Sequence, residues 1–155
     1  MINLLGEYDC KMDAKGRLML PAGLKKQLAD VLSAGFVINR NLHQPCLVVY
    51  PQAEWQRLSS KLKKLNRLVK KNDVIVRKVM GGATPVELDG SGRILVPKSL
   101  SDHANLNTEV KVIGSNNTIE IWSKSAYESF MNDQEIDLEA LAEDVFGSLN
   151  DNDDE

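Results

Sequence analysis

The chain has 155 residues, 43% of them hydrophobic and 26% charged, which is enough for one ordinary globular domain or for two small repeats that share a core. No apolar run is long enough to cross a bilayer, and the first residues lack the basic region and apolar stretch of a secretion signal, so we expect no membrane anchor. Cys10 and Cys46 are isolated, without Cys-x-x-Cys spacing, which favours an intracellular protein with reduced thiols.

The net charge of −3 conceals a segregation of charge along the chain. Residues 132–155 hold ten acidic residues and no Lys or Arg. Taking these ten from the total of 22 acidic residues leaves 12 against all 19 basic ones, a balance of +7 in residues 1–131. A basic body can bind a polyanion, whereas the acidic tail could either compete with that polyanion or simply aid solubility.

A nine-residue motif occurs twice, at a spacing of 76 residues. The first copy reads Asp13-Ala-Lys-Gly-Arg-Leu-Met-Leu-Pro21, and the second reads Asp89-Gly-Ser-Gly-Arg-Ile-Leu-Val-Pro97. The copies share Asp, Gly, Arg and Pro at matching positions, and their other matching positions include two apolar pairs. Such self-similarity at a fixed offset identifies a tandem repeat.

Alternating apolar residues precede each motif and a short apolar run ends it, which predicts two strands joined by a tight turn, as in a hairpin. Gly16 and Gly92 would supply a backbone angle that other residues resist, while Asp13 and Asp89 would accept hydrogen bonds from backbone amides of the turn. The proline that closes each motif suits the first turn of a helix. We therefore assign these two glycines and two aspartates to shaping the turns.

Arg17 and Arg93 follow the turns and can project away from the core. A single copy would favour a local ion pair with the Asp four residues earlier, because surface ion pairs are common and weak. Two copies placed alike between a strand and a Pro-led helix favour a function for the Arg. A guanidinium repeated in this way is suited to phosphate groups or to the edges of bases.

Between the two motifs we predict, in chain order, a helix, a strand pair and a long helix. Their bounds are 22–34 for the first helix, 36–38 and 46–50 for the strands, and 52–71 for the long helix. The long helix carries seven basic residues, which could follow a phosphate backbone or form a solvated surface that links the repeats. Arg77 and Lys78 interrupt an apolar run at 74–80; they could add to this basic surface, and an exposed edge strand would explain them equally well.

The second motif is followed by the same plan. We predict a helix at 99–106, strands at 110–113 and 118–122, a helix at 125–131, a further helix at 137–149 and a disordered stretch at 150–155. Ser125 and Glu128 have the spacing of a capping box at the start of their helix.

Aromatic residues extend the match between the repeats. Trp122 corresponds to Tyr50, and Tyr127 to Trp55, at an offset of 72 residues, so the second repeat is four residues shorter between its motif and its strand pair. The predicted division of the chain is a first repeat at 1–80, a second repeat at 81–132, and an acidic helix with a disordered tail at 133–155.

Taken together, these residues resemble the MraZ family of bacterial transcriptional regulators, which is associated with the division and cell-wall gene cluster. The resemblance covers nearly the whole chain. It is carried by Gly6-Glu-Tyr8, Asp13-Ala-Lys-Gly-Arg17, Leu20-Pro21, Val49-Tyr-Pro51, Trp55, Gly82-Ala83, Asp89-Gly-Ser-Gly-Arg93, Ile94-Leu-Val-Pro97 and Ile119-Glu-Ile-Trp-Ser123. Each Asp-x-x-x-Arg is a weak pattern alone, but two in this order and with these flanks are specific.

The resemblance implies an α+β, β-rich fold of two tandem AbrB-like swapped-hairpin repeats that form an intramolecular pseudo-dimer, with flanking helices. It also implies a cytoplasmic, nucleoid-associated protein whose homo-oligomeric rings bind repeated promoter elements in double-stranded DNA. By this resemblance the DNA-binding residues are Lys15, Arg17 and Arg93. The second motif has Ser91 where a long polar or basic residue is expected, which leaves its turn less basic.

Two other classes of function are weighed against DNA binding. An oligomeric scaffold whose basic surface binds an acidic partner is the alternative. An enzyme is disfavoured, because His43 and His103 lack metal-ligand spacing and the chain has no phosphate-cradling glycine motif. We expect no cofactor and no metal.

Overall fold

A computed structural model describes residues 2–153, and the side chains of residues 2–149. Eight strands are described: β1 (Glu7–Lys11), β2 (Arg17–Met19), β3 (Phe36–Arg40), β4 (Leu47–Pro51), β5 (Thr84–Val86), β6 (Arg93–Leu95), β7 (Glu109–Ser115) and β8 (Thr118–Ser123). The α-helices of this range are α1 (Ala22–Gln27), α2 (Gln52–Lys63), α3 (Lys70–Met80), α4 (Lys98–His103), α5 (Lys124–Met131) and α6 (Leu138–Asp153).

Six strands form one antiparallel sheet in the order β1-β7-β8-β4-β3-β5. This order is symmetric with respect to the two repeats, because the first strand of each repeat pairs with the third strand of the other repeat. Thus β1 of the first repeat pairs with β7, β5 of the second repeat pairs with β3, and β4 pairs with β8 between them. The prediction of an α+β, β-rich fold with two tandem, strand-exchanging repeats is confirmed.

The exchange changes the local hairpins that the apolar pattern predicts. After the first turn the chain makes one antiparallel bridge, Met12 to Leu18, and then β1 and β2 diverge. β2 pairs instead with β6 of the other repeat and places Leu18 opposite Ile94, both almost fully buried. In a closed local hairpin Leu18 and Ile94 would not pack against each other. The burial of both side chains in the shared core therefore favours the exchanged pairing.

One apolar cluster holds residues of both repeats. Leu24 and Phe36 of the first repeat and Leu100 and Val112 of the second are among its fully buried members. Neither repeat contributes a separate core of this size, so the two repeats share the burial that a single short repeat could not supply.

The first predicted helix is shorter than its apolar spacing suggests. α1 ends at Gln27, and a 3-10 turn at Leu32–Ala34 replaces the rest of the predicted helix. Tighter bonds, such as Gly35 N–H to the Leu32 carbonyl, then bring the chain to Gly35, whose φ of +79° turns it into β3.

The predicted helix at 52–71 is two helices, and the predicted edge strand at 74–80 is wrong. Asn66 breaks the helix by accepting a hydrogen bond from Leu68 N–H at its side chain and one from the Asn72 side chain at its carbonyl. The following run is helical because Val76 and Val79, three residues apart, pack in one cluster with residues of α2. This packing outweighs the strand preference of β-branched residues.

Equivalent aromatic pairs confirm the alignment of the repeats. The rings of Tyr50 and Trp55 lie 5.4 Å apart at 63°, and those of Trp122 and Tyr127 lie 5.6 Å apart at 68°. Both are edge-to-face arrangements, which aromatic rings favour.

Two helix bounds in the second repeat differ from the prediction. The Ser123 hydroxyl, rather than Ser125, caps α5 by accepting a hydrogen bond from Ala126 N–H at 3.1 Å. The last helix, α6, continues to Asp153 instead of ending at Leu149. The rest of the predicted disordered tail, residues 154 and 155, lies outside the described residues.

Candidate nucleic-acid interface

The two Asp–Arg turns lie side by side. The Gly16 carbonyl accepts a hydrogen bond from Val96 N–H at 2.8 Å, and the Gly92 carbonyl accepts one from Leu20 N–H at 3.1 Å. These bonds flank the antiparallel pairing of β2 with β6, in which Arg17 lies opposite Leu95. Residues 76 positions apart in sequence therefore form one surface rather than two separate tips.

Side-chain alternation divides the β2–β6 ribbon into two faces. Leu18 and Ile94 point to the core, whereas the neighbouring positions point outward. We call the outward set the arginine face; it consists of Arg17, Met19, Arg93 and Leu95. Its two arginines are diagonal neighbours, which lie about 7–8 Å apart in such a register and somewhat closer at Cβ.

Arg17 and Arg93 are 34% and 31% exposed, while Met19 and Leu95 are more exposed, at 46% and 57%. The face therefore presents two cations on one diagonal and two apolar side chains on the other.

The Asp13 carboxylate organises the first turn. Its Oδ1 accepts hydrogen bonds from the backbone N–H groups of Lys15 and Arg17, both at 2.9 Å. The backbone N–H of Arg17, more than any other group, holds the pKa of Asp13 below its ordinary value of 3.8. Gly16 adopts a φ of +84°, which a residue with a side chain would resist.

The second turn repeats this geometry. Asp89 Oδ1 accepts from the backbone N–H groups of Ser91 and Arg93 at 2.9 and 3.0 Å, and Gly92 has a φ of +81°. The Arg93 N–H is the main cause of a lowered pKa at Asp89. Both turns are thus fixed by contacts within five residues.

Each aspartate also contacts the arginine of its own turn from the side. Arg17 Nε lies 2.7 Å from Asp13 Oδ2, and Arg93 Nε lies 3.0 Å from Asp89 Oδ2. Among the side chains described, neither guanidinium donates another hydrogen bond. An exposed ion pair of this kind contributes little to stability, but it orients the guanidinium while its four terminal N–H groups stay open to a ligand.

A lysine accompanies each turn, but from different elements. Lys15 belongs to the first turn and is exposed. In the second turn Ser91 replaces it, and Lys25 of α1 lies over Gly92 instead, with its Nζ 2.6 Å from where a Cβ on that glycine would stand. The sequence prediction missed Lys25 because the contact crosses between repeats. The sequence does contain a signal for Lys25: at the offset of 76 residues it corresponds to Ser101, just as Lys15 corresponds to Ser91, so both of these lysines of the first repeat are replaced by serine in the second.

The basic residues of α2, of α3 and of the segment between them are partly neutralised by acids of the two helices. Arg57 pairs with Glu54, and Arg67 and Arg77 both contact Asp73. The remaining charge there is mainly lysine, which makes this surface less suited to bidentate recognition than the arginine face.

No group of three or more His, Cys, Asp and Glu side chains in residues 2–153 is placed to hold a metal ion. None of the helices in this range combines the length and the apolar character that crossing a membrane requires.

Comparison with known proteins identifies relatives over most of the chain. The chain matches a family model described as "MraZ protein, putative antitoxin-like" over residues 4–78 and again over residues 79–149. It is 46% identical over 148 residues to the protein named transcriptional regulator MraZ of Christiangramia forsetii, and the match covers 96% of each chain.

Two further relatives carry the same name. The protein of Flavobacterium psychrophilum is 44% identical over 151 residues, covering 97% of this chain and 96% of the relative. That of Cytophaga hutchinsonii is 40% identical over 138 residues, covering 89% and 91%. The names are those of regulators rather than enzymes, in agreement with the prediction that the chain is not an enzyme. Because both repeats match the family model and relatives match along nearly their whole length, the chain belongs to the MraZ family.

Proposed function

We propose that this protein is a transcriptional regulator that binds double-stranded promoter DNA through the arginine face. The observation that carries the proposal is the pairing of β2 with β6, which brings Arg17 and Arg93 onto one outward surface with their terminal N–H groups open. The transcriptional-regulator names of the relatives support the same reading.

The shape and chemistry of the ribbon suit the major groove. That groove is about 12 Å wide and admits a two-stranded β-ribbon. A guanidinium held at Nε can present its two terminal nitrogens to the O6 and N7 atoms of guanine, or to a phosphate. Lys15 and Lys25 would contact phosphates beside the groove, while the exposed Met19 and Leu95 side chains suit thymine methyl groups.

One arginine face offers few contacts, so useful affinity requires several. In this proposal the protein forms a homo-oligomeric ring whose subunits engage successive promoter repeats at high effective concentration. The promoter elements are those of the division and cell-wall gene cluster, and the protein acts in the cytoplasm at the nucleoid.

The test compares Arg17→Ala and Arg17→Lys with the wild type in DNA-binding titrations at several salt concentrations. The duplexes are the promoter fragment of the gene cluster and a scrambled fragment of equal length. A lost bidentate contact costs about 1–3 kcal/mol per engaged subunit, so Arg17→Ala should lose more than tenfold in affinity and have a shallower salt dependence. Arg17→Lys should keep the salt dependence and lose the preference for the promoter.

Arg57→Ala is the matched control, because it removes an exposed, ion-paired Arg from α2 and leaves the turns intact. Unchanged affinity and salt dependence in Arg17→Ala would remove Arg17 from the site. An assembled wild-type protein that ignores both duplexes at low salt would instead support the scaffold that binds an acidic partner.

A further inference from the structure

The last helix exposes its apolar residues to solvent. Within the described side chains of α6, all but that of Ala142 are exposed. Leu138, at 73%, and Phe146, at 63%, are the most exposed of its large apolar residues. Leu138, Leu141, Val145 and Leu149 recur at helical spacing and form a stripe on one side.

Such a helix is poorly stabilised by itself. α6 has 16 residues, close to the length at which an isolated helix is marginal in water, and it contains Gly147 in its interior. Most of the stability of a helix comes from packing its apolar side against another element. The stripe of α6 therefore indicates a partner surface.

The flanks of the stripe specify the charge of that partner. Glu139 and Glu143 lie on one side of the stripe and Asp144 on the other, and residues 132–155 hold no Lys or Arg. A partner that covers the apolar residues must therefore be basic around an apolar centre.

α3 offers such a surface on the same chain. Its outward side carries Val74 and Ile75, both exposed, between Lys71 and Lys78 at i, i+3, i+4 and i+7 spacing. Leu68, just before α3, is 95% exposed. We call these five residues the α3 surface. It lies away from the side of α3 that holds the buried Val76 and Val79.

We propose that α6 of one copy packs its apolar stripe on the α3 surface of a second copy of this chain. The two surfaces are complementary in charge and in apolar character, and neither is covered within the described residues. Because they are different parts of the chain, the contact can repeat head-to-tail from copy to copy, and it forms a ring when the rotation between successive copies closes. The inference rests on the oligomer of the proposed function and names the surfaces that build it.

The first test measures the solution mass of Val145→Asp and Ile75→Asp by light scattering. A charge in either surface should reduce the assembled wild type to single chains. Ala140→Asp is the matched control, since it adds the same charge on the opposite side of α6 and should leave the mass unchanged. A wild type of single-chain mass, or a Val145→Asp variant that stays assembled, would overturn the proposal.

The second test identifies the surfaces by cross-linking. Val145→Cys protein is mixed with Ile75→Cys protein, oxidised and separated without reductant. A disulfide-linked pair of chains is expected, and the mixture of Ala140→Cys with Ile75→Cys, which also contains the native Cys10 and Cys46, should give much less. A Val145→Cys/Ile75→Cys double variant that links only within single chains would show that α6 covers its own α3 and would contradict docking between copies.

DNA binding separates this inference from the function on which it rests. Val145→Asp keeps the arginine face, so it should still bind a single promoter element weakly, in an Arg17-dependent manner, and should lose the gain from adjacent elements. If the Val145→Cys and Ile75→Cys proteins form no cross-link while DNA binding that depends on Arg17 is retained, the inference alone is refuted. A specific cross-link in a protein that does not bind duplex DNA would refute the proposed function alone.

Discussion

In the first repeat α3 contributes to a buried cluster with α2 and β3, whereas in the second repeat nearly all described side chains of α6 are exposed. Val76 and Val79 of α3 pack in one cluster with Trp55 and Leu62 of α2. In the second repeat α5 corresponds to α2, and Met131 at its end is 58% exposed. The sheet and the turns are thus equivalent in the two repeats, while the helices after them differ: α3 buries its apolar side within its own repeat, and α6 leaves its apolar stripe exposed.

The turns show a smaller difference between the repeats. The first carries its lysine within the turn, and the second receives Lys25 from α1 of the other repeat. The two arginines keep equivalent positions and partners. The ribbon is therefore symmetric in its arginines and asymmetric in the origin of its lysines.

The largest expected contrast lies between α3 and α6 in amide hydrogen exchange. In single-chain Val145→Asp, amides of α3 should be protected about a thousandfold or more over those of α6, because Val76 and Val79 of α3 are buried in a cluster with α2 and β3, whereas α6 has no packed side. Exchange mass spectrometry of this variant and of the assembled wild type measures the contrast. Equal protection of the two helices in the single chain would show that α6 is packed as well as α3 and would contradict this difference between the repeats.

The next effect concerns the buried side of the ribbon. Leu18→Ala and Ile94→Ala should each lower the free energy of unfolding by about 2–5 kcal/mol, and by similar amounts, since the two side chains are buried opposite each other. Denaturant titrations at one fixed protein concentration provide the measurement. Met19→Ala and Leu95→Ala, on the exposed side, should cost no more than about 0.5 kcal/mol. A markedly smaller loss of unfolding free energy for Ile94→Ala than for Leu18→Ala would show that the two repeats contribute unequally to the shared core.

A moderate effect is expected from the lysines. Lys15→Ser and Lys25→Ser should each reduce the salt dependence of DNA binding by about one phosphate contact, with a severalfold loss of affinity for promoter and scrambled duplexes alike. Ser91→Lys, which gives the second turn a lysine of its own, should increase the salt dependence. Lys63→Ser, on α2, serves as the control. Normal binding by Lys25→Ser would restrict the lysine contacts to the first turn.

The smallest effect concerns acid stability. Because the folded-state pKa of Asp13 and of Asp89 lies below the ordinary value of 3.8, both carboxylates stabilise the fold above that value, and the contribution is lost as pH falls through the lowered pKa. The Asp13→Asn/Asp89→Asn variant should therefore lose less stability than the wild type between about pH 4 and pH 2. Thermal unfolding across this range tests it, with Asp102→Asn, an exposed aspartate of α4, as the control. Parallel curves of stability against pH for the variant and the wild type would mean that the pKa values of Asp13 and Asp89 do not differ between the folded and unfolded states.

The sequence by itself determined the repeat, the two turns and the equivalent aromatic pairs. These features depend on contacts within a few residues, as when the Asp13 carboxylate accepts hydrogen bonds from amides two and four positions later. They also depend on spacings that duplication left visible. Local geometry of this kind follows directly from residue type, since glycine adopts a positive φ at less cost than residues that carry a side chain.

Only the tertiary structure decided which strands pair and what the segment after α2 becomes. β1 pairs with β7 and β2 with β6 because those partners bury apolar sides that a local hairpin would expose. The β-branched run at 74–80 is a helix because Val76 and Val79 are buried in a cluster with residues of α2 and β3. The approach of Lys25 to Gly92 follows from the same exchange. Burial against distant residues set these outcomes, and local preference is too weak to oppose it.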